Sequence, residues 1–70
     1  MDMKFVICIN NQGYEVSLER GKVYRVLGDE KASQHNLIRV VDESGEDYLF
    51  PSKNFVTIKL PKAAEKALVA

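Results

Sequence analysis

The sequence predicts an all-β domain in which five short strands form a small barrel and a short C-terminal helix follows. Segments rich in β-branched and aromatic residues recur along the chain, and Gly, Asn and Pro residues separate them. In residues 48–56 an apolar strand stops at a proline, turns once through polar residues and resumes with an aromatic residue, as small barrels do before their last strand. A chain of 70 residues, 46% hydrophobic and 29% charged, has the length and composition of one globular domain.

The first strand is predicted over residues 4–9, where a near-continuous β-branched and aromatic run is typical of a strand covered on both faces. Residues 10–21 follow and contain several Asn and Gly residues. Within them Tyr14, Val16 and Leu18 recur at every second position, which indicates a loop with one face on the core. The first connection is therefore expected to be long but structured.

The second strand is predicted over residues 23–27 and the third over residues 37–41, with a polar connection over residues 28–36 between them. Both strands alternate in polarity, so Arg25 and Arg39 are expected to face water. The residues on either side of these arginines then face the core, namely Tyr24, Val26, Ile38 and Val40.

A tight hairpin turn is predicted at residues 43–46, because Gly45 supplies the positive φ angle that such turns require. Residues 47–50 return as the fourth strand, antiparallel to the third. Pro51 is expected to end this strand, since proline cannot donate to a sheet ladder. Residues 52–54 are short enough to form a single helical turn.

The fifth strand is predicted over residues 55–60, and Pro61 stops it. Pro61 also suits the first position of a helix, in which alanines and Leu68 would share one face and charged residues the other. The sequence is thereby divided into a barrel over residues 1–61 and a helical extension over residues 62–70.

This arrangement resembles the SH3 domains, in which a long loop, a medium loop, a tight hairpin and a one-turn link join five strands in that order. Residues 17–26 resemble the SH3 stretch in which a basic-glycine-charged turn and an alternating strand close the first long loop. Residues 48–56 resemble the SH3 segment with a Pro-Ser-Asn-aromatic-Val core, apart from the inserted Lys53. The resemblance covers residues 4–60, implies an SH3-like barrel, and extends to short uncharacterised bacterial proteins with this fold.

SH3 domains bind polyproline helices on ridges of aromatic side chains, which include tyrosines after the first strand and a tryptophan at the start of the third. This chain has Asn10 and Leu37 at those places. The resemblance therefore carries over only Pro51 and Phe55, with Tyr14 as a substitute in the long loop. It implies an interaction surface beside the long loop and the one-turn link.

The expected function is a small binding module for another protein, without catalysis. The candidate partner-binding residues are Tyr14, Glu15, Pro51 and Phe55. The loops beside them are acidic, so the bound segment is expected to be basic, or to contain proline as SH3 ligands do. In the competing interpretation these aromatic residues belong to the core and only pin the long loop to the barrel.

Nucleic-acid binding is the alternative function, with Tyr14, Tyr24, Tyr48 and the lysines of the last third as stacking and phosphate-binding groups. Ten basic residues balance ten acidic ones, which weighs against it. No apolar run approaches the roughly 20 residues of a membrane span, and residues 5–9 are too few for the core of a signal peptide. A single cysteine favours a reducing cytoplasm. The sequence leaves the oligomeric state open.

No catalytic, metal or cofactor site is expected. Cys8 and His35 could be a nucleophile and its base, yet Cys8 lies in an apolar strand, where a free thiol behaves as a small hydrophobic group. Four carboxylates surround the hairpin tip, Asp42, Glu43, Glu46 and Asp47. They could attract a hard cation, but the spacing of an EF-hand loop is absent and a solvated turn is the favoured interpretation. The sequence also contains no glycine-rich phosphate loop and no paired cysteine motif.

Overall fold

The computed structural model describes residues 4–69 as one antiparallel sheet of five strands with two short helices and a 3-10 turn. In chain order the elements are β1 (Lys4–Cys8), β2 (Val23–Leu27), α1 (Glu30–Gln34), β3 (Leu37–Val41), β4 (Asp47–Pro51), the 3-10 turn (Ser52–Asn54), β5 (Phe55–Ile58) and α2 (Lys62–Val69). The predicted five strands are confirmed, and the bounds of β2 and β3 are those predicted.

The strands lie in the order β4-β3-β2-β1-β5, with every neighbouring pair antiparallel. Within residues 4–69, β4 and β5 each pair with one other strand, so they are the two edges of the sheet. Phe50 of β4 and Phe55 of β5 nevertheless have ring centroids only 6.1 Å apart. The 3-10 turn therefore brings the ends of the two edge strands together, and the sheet curls around one apolar core. β4 and β5 are not paired with each other, so residues 4–69 form an open sheet and the predicted closure into a barrel is not observed.

The core lies on the inner face of this curled sheet. Its buried members are Val6, Cys8, Leu18, Tyr24, Val40, Phe50 and Phe55. Val26 and Ile38 are half-buried and pack against them. Arg25 is exposed and Arg39 is half-buried, so the predicted inward and outward faces of β2 and β3 are confirmed.

The interior strand β1, which lies between β2 and β5, has buried residues on both faces. Phe5 and Val6 are neighbours in the strand and so point to opposite faces, yet they are only 2% and 1% exposed. β1 also has a hydrogen-bonded neighbour on each side, β2 on one and β5 on the other. This explains the unbroken apolar run, because both faces of the strand are largely buried, although Ile7 is half-buried and Lys4 at the start of the strand is exposed.

The connection between β2 and β3 contains α1, a one-turn helix where only a polar loop was expected. The Asp29 carboxylate caps it, accepting the Ala32 amide at 3.0 Å through Oδ1, and Ala32 is buried beneath the turn. Arg39 donates to Asp29 Oδ2 at 2.9 Å and to Asp47 at 2.8 Å. The amide of Ala32 and then Arg39 hold the pKa of Asp29 below its usual value.

The hairpin between β3 and β4 has a three-residue loop with a bulge. The amide of Gly45 donates to the Asp42 carbonyl at 3.0 Å, and the amide of Asp42 donates to the Glu46 carbonyl at 2.9 Å. Gly45 has a φ of 84°, in the left-handed region where glycine is favoured. The predicted tight turn is confirmed.

Two element ends differ from the prediction near the prolines. β4 includes Pro51, which pairs with Leu37 at the sheet edge. The Ser52 amide donates to the Asn36 carbonyl at 3.0 Å, so Asn36 and Ser52 are a hydrogen-bonded pair. Because hydrogen-bonded and non-hydrogen-bonded pairs alternate along the ladder, the adjacent Leu37–Pro51 pair needs no amide hydrogen from Pro51. β5 ends at Ile58, two residues before the predicted end.

The second helix begins at Lys62, directly after Pro61, whose carbonyl accepts the amides of Ala64 and Glu65 at 3.0 and 3.1 Å. Pro61 therefore lies just outside the helix rather than at its first position. In the described part of the chain no helix has the length and apolar character needed to cross a membrane.

Tyr24 ties the sheet to the first long loop. Its ring is buried in the core, and its hydroxyl oxygen accepts the amide of Glu19 at 2.7 Å. Burial disfavours the phenolate and raises the pKa of Tyr24 from its ordinary 10.0 to about 12. The hydroxyl group is therefore protonated in the folded protein at pH values where an unfolded tyrosine ionises.

We expect the free energy of unfolding to fall as the pH rises from about 10 to about 12. Because the pKa of Tyr24 is raised on folding, its contribution is complete below pH 10 and lost above pH 12, a total of about 3 kcal/mol at 1.36 kcal/mol per pKa unit. Urea titrations at each pH measure it. Tyr24→Phe should lose about 1 kcal/mol at neutral pH and show a shallower alkaline decline, whereas an equally steep decline would contradict the assignment.

Candidate functional site

The first long loop, residues 9–22, is anchored in the core by Leu18. This side chain is 1% exposed and belongs to the core cluster although it lies outside the strands. The Tyr14 carbonyl accepts the amides of Ser17 and Leu18 at 3.0 and 2.8 Å, and the Asn11 side chain donates to the Leu18 carbonyl at 3.0 Å. The loop is thus held in one compact turn. Leu18 rests on the core as the period-two apolar spacing predicts, but Val16 is 97% exposed, so the prediction is wrong for Val16.

Tyr14 forms the outer end of a row of three aromatic rings. Its ring meets Phe50 at 5.3 Å between centroids with an interplanar angle of 81°, and Phe50 in turn meets Phe55 at 63°. Such edge-to-face contacts stabilise a pair beyond the area that it buries. Tyr14 is 36% exposed, so part of its ring is accessible to solvent although the ring also contacts Phe50.

The hairpin lies beside this loop and is bonded to it. The Glu43 amide donates to the Ser17 carbonyl at 3.1 Å, and the Lys22 ammonium group forms an ion pair with the Glu43 carboxylate. The hydrogen bond from Lys22 holds the pKa of Glu43 below its usual value. These contacts fix the distance between the loop and the hairpin.

A groove with a volume of about 450 Å³ lies between them, and we call it the loop-hairpin groove. Its lining residues are Tyr14, Val16, Ser17, Asp42, Ser44, Glu46, Tyr48, Leu49 and Phe50. The described residues include six large apolar side chains that are exposed, and four of them line this groove. These four are Tyr14, Val16, Tyr48 and Leu49, and Val16 is 97% exposed.

The groove is acidic. Among the described residues that line it, two carry carboxylates, Asp42 and Glu46, and none is a lysine or arginine. Asp42 is buried and accepts both the amide and the hydroxyl group of Ser44, whereas Glu46 accepts the Tyr48 hydroxyl at 2.7 Å. The hydrogen bond to Glu46 raises the pKa of Tyr48. Within residues 4–69 neither carboxylate has a salt-bridge partner, so the groove carries two uncompensated negative charges.

The four candidate partner-binding residues have different positions. Tyr14 lines the groove, and Glu15 follows it on the exposed loop. Pro51 is half-buried at the end of β4. Phe55 is buried in the core and does not line the groove. Its ring contacts Phe50, which in turn contacts Tyr14.

The sequence analysis does not predict that three exposed apolar residues of the groove lie together. These residues are Val16, Tyr48 and Leu49. One signal was present in the sequence. Tyr48, Leu49 and Phe50 are consecutive in a strand, and since neighbouring side chains alternate between faces, a strand at the edge of a sheet cannot bury all three.

The residues considered for chemistry do not assemble into a reactive centre within the described part of the chain. Cys8 is fully buried in β1, and His35 is exposed at the C-terminal cap of α1. Over residues 4–69, no cluster of three or more His, Cys, Asp or Glu side chains is arranged to hold a metal ion. The carboxylate of Asp42, at the hairpin tip, is engaged with Ser44.

Comparison of the chain with protein-family models, with curated proteins and with solved structures gives no match.

Proposed function

We propose that this chain is a non-catalytic interaction module that holds a short basic segment of a partner protein in the loop-hairpin groove. The observation that carries the proposal is the gathering of four of the six exposed large apolar side chains in one groove. Exposed apolar residues scattered over a surface are ordinary, but a contiguous set with a polar rim is typical of an interaction site. Tyr14 and Tyr48 add rigid aromatic area, which contributes to affinity at low entropic cost.

The charge of the groove defines the partner. Asp42 and Glu46 would be left without counter-charges against an acidic or phosphate-rich ligand, which would be repelled. A segment with lysine or arginine beside an apolar residue complements both features of the surface. The same acidic lining weighs against the nucleic-acid alternative.

The proposal includes an SH3-like fold for the curled sheet. The connections between the strands support it. In chain order they are a long loop, a medium loop with one helical turn, a tight hairpin and a 3-10 turn, and this order resembles that of SH3 domains. The proposed ligand surface lies between the long loop and the hairpin, away from the buried Phe55. The single buried thiol of Cys8 fits the proposed cytoplasmic location.

Selection from a displayed library of random heptapeptides tests the function. We expect the selected peptides to contain lysine or arginine next to large apolar residues, and to bind the purified chain saturably. Val16→Ser should weaken their binding about tenfold, because about 1.4 kcal/mol of apolar contact is lost. Val56→Ser is the matched control, since Val56 is exposed on β5 outside the groove and its loss should leave binding unchanged.

Three results would contradict the proposal. They are selection of acidic peptides, equal weakening by both valine substitutions, or no saturable peptide binding at all. Single-stranded RNA and DNA should show no saturable binding below about 10 μM at physiological salt. A salt-sensitive titration well below that concentration would favour nucleic acid as the ligand instead.

A further inference from the structure

β4 is an edge strand, and its hydrogen-bonding pattern decides which of its amides are free. The Asp42 amide donates to Glu46, and the Ser52 amide donates to Asn36, at the two ends of the β3-β4 ladder. In an antiparallel pair, hydrogen-bonded and non-hydrogen-bonded positions alternate. The backbones of Tyr48 and Phe50 therefore bond to β3.

The residues between them direct their backbone groups to the other side. The amides and carbonyls of Asp47 and Leu49 point away from β3, towards the free edge. Within residues 4–69 neither amide has a hydrogen-bond partner in another loop or side chain. These are the groups that an added strand would use.

The loop-hairpin groove runs along this same edge. Tyr48 and Phe50 point to the inner face of the sheet and Leu49 to the outer face, yet all three line the groove. The side chains on the two faces of a strand can line the same groove only if the groove passes along the unpaired edge of that strand. Consistent with this, none of the described residues of β3 lines it. Tyr14 and Val16 form the opposite wall.

We propose that the partner's segment binds in extended conformation and adds to the free edge of β4 as a sixth strand. This rests on the proposed function and specifies its binding mode. The segment's main chain exchanges hydrogen bonds with Leu49 and Asp47. Its side chains alternate between the two faces of the sheet, so those on the inner side contact Tyr14 and Val16 and those on the outer side contact Leu49. Basic side chains at the hairpin end of the segment lie near Glu46.

Pro51 makes a second copy of this chain a poor occupant of the edge. If two β4 strands paired antiparallel about Leu49, each Pro51 would lie opposite the other copy's Asp47. Proline has no amide hydrogen, so both of these positions would lose a bond. Two acidic grooves would also be brought together. A basic peptide meets neither obstacle.

The test uses a synthetic hexapeptide of alternating lysine and valine, acetylated and amidated at its ends, and a second peptide of the same sequence with every backbone nitrogen methylated. The methylated peptide keeps the side chains but cannot donate main-chain hydrogen bonds. Amide exchange of the isotope-labelled chain, followed by NMR with and without peptide, reports on Leu49 and Asp47 directly. Thr57 is the control, because its amide points to the free edge of β5.

We expect the unmethylated peptide to bind at least tenfold more tightly than the methylated one. Its binding should slow hydrogen exchange of the Leu49 and Asp47 amides at least tenfold and leave the exchange rate of the Thr57 amide unchanged.

Equal binding of both peptides, or a bound peptide with an unprotected Leu49 amide, would overturn strand addition and leave the proposed function standing. Protection of Leu49 without peptide, increasing with protein concentration, would identify a second copy as the occupant and also overturn it. Failure of this peptide and of every library peptide to bind would overturn the proposed function itself.

Discussion

Replacing Phe50 with alanine should remove most of the protein's free energy of unfolding. Phe50 is buried, contacts the rings of Tyr14 and Phe55, and lies opposite Ile38 in the β3-β4 ladder. Phe-to-Ala changes in a core cost about 3 to 5 kcal/mol, and a domain of this length has a total stability of roughly 5 kcal/mol. Circular dichroism during urea and thermal unfolding measures the loss.

Leu49→Ala is the matched control for this substitution. Leu49 is the preceding residue of the same strand, but it points to the outer face and is 42% exposed. Its loss should change the free energy of unfolding by less than about 1 kcal/mol. Equal destabilisation by the two substitutions would show that the inner and outer faces of β4 are wrongly assigned.

Leu18→Ala is expected to have the second largest effect, about 2 to 5 kcal/mol, although the residue lies in a loop. Its side chain is almost completely inaccessible and fills the core from the loop side. Without it, the turn that carries Tyr14 and Ser17 loses its anchor, so the wall of the loop-hairpin groove should loosen as well. Urea unfolding gives the stability, and the affinity for library-selected peptides gives the effect on the groove.

Val16→Ala serves as the comparison from the same loop. Val16 is two residues away and 97% exposed, so its truncation should leave the melting temperature unchanged while weakening peptide binding. If Leu18→Ala melts like the unchanged protein, the loop is not anchored as described. A large shift in melting temperature with Val16→Ala would contradict its exposure.

Much of the sheet follows from short-range pattern. Arg25 and Arg39 each stand between apolar neighbours, which sets both the position of β2 and β3 and the faces of their side chains. Gly45 marks the hairpin because the bulged loop needs a left-handed residue there. In these places local conformational preference and burial favour the same structure, so the structure can be predicted from the sequence alone.

The helix α1 is not visible in such a pattern. Five residues are too few to form a stable helix alone, and α1 depends on the buried Ala32 and on Asp29, which also binds Arg39. Arg39 lies ten positions further along the chain, so this support exists only after β3 is in place. Likewise, Pro51 fits in β4 because β4 is an edge, which is a property of the whole sheet.

The candidate site, like the fold, could be predicted from the sequence only in part. Tyr14 could be selected as an aromatic residue in a long loop, and it lines the groove. Phe55 could be selected equally well, yet it is buried, because exposure depends on how the two edges of the sheet approach each other. That Val16 lies across a groove from Tyr48 is set by tertiary contacts such as the bond between Ser17 and Glu43.

The burial of Cys8 makes the chemical lifetime of the protein depend on its dynamics. This is the chain's one cysteine, and it lies fully buried in a strand that is paired on both sides. Oxidants and alkylating agents attack the thiolate, which must first meet solvent. Such damage therefore proceeds no faster than the sheet opens, and any substitution that raises the population of open molecules also accelerates oxidation of the thiol.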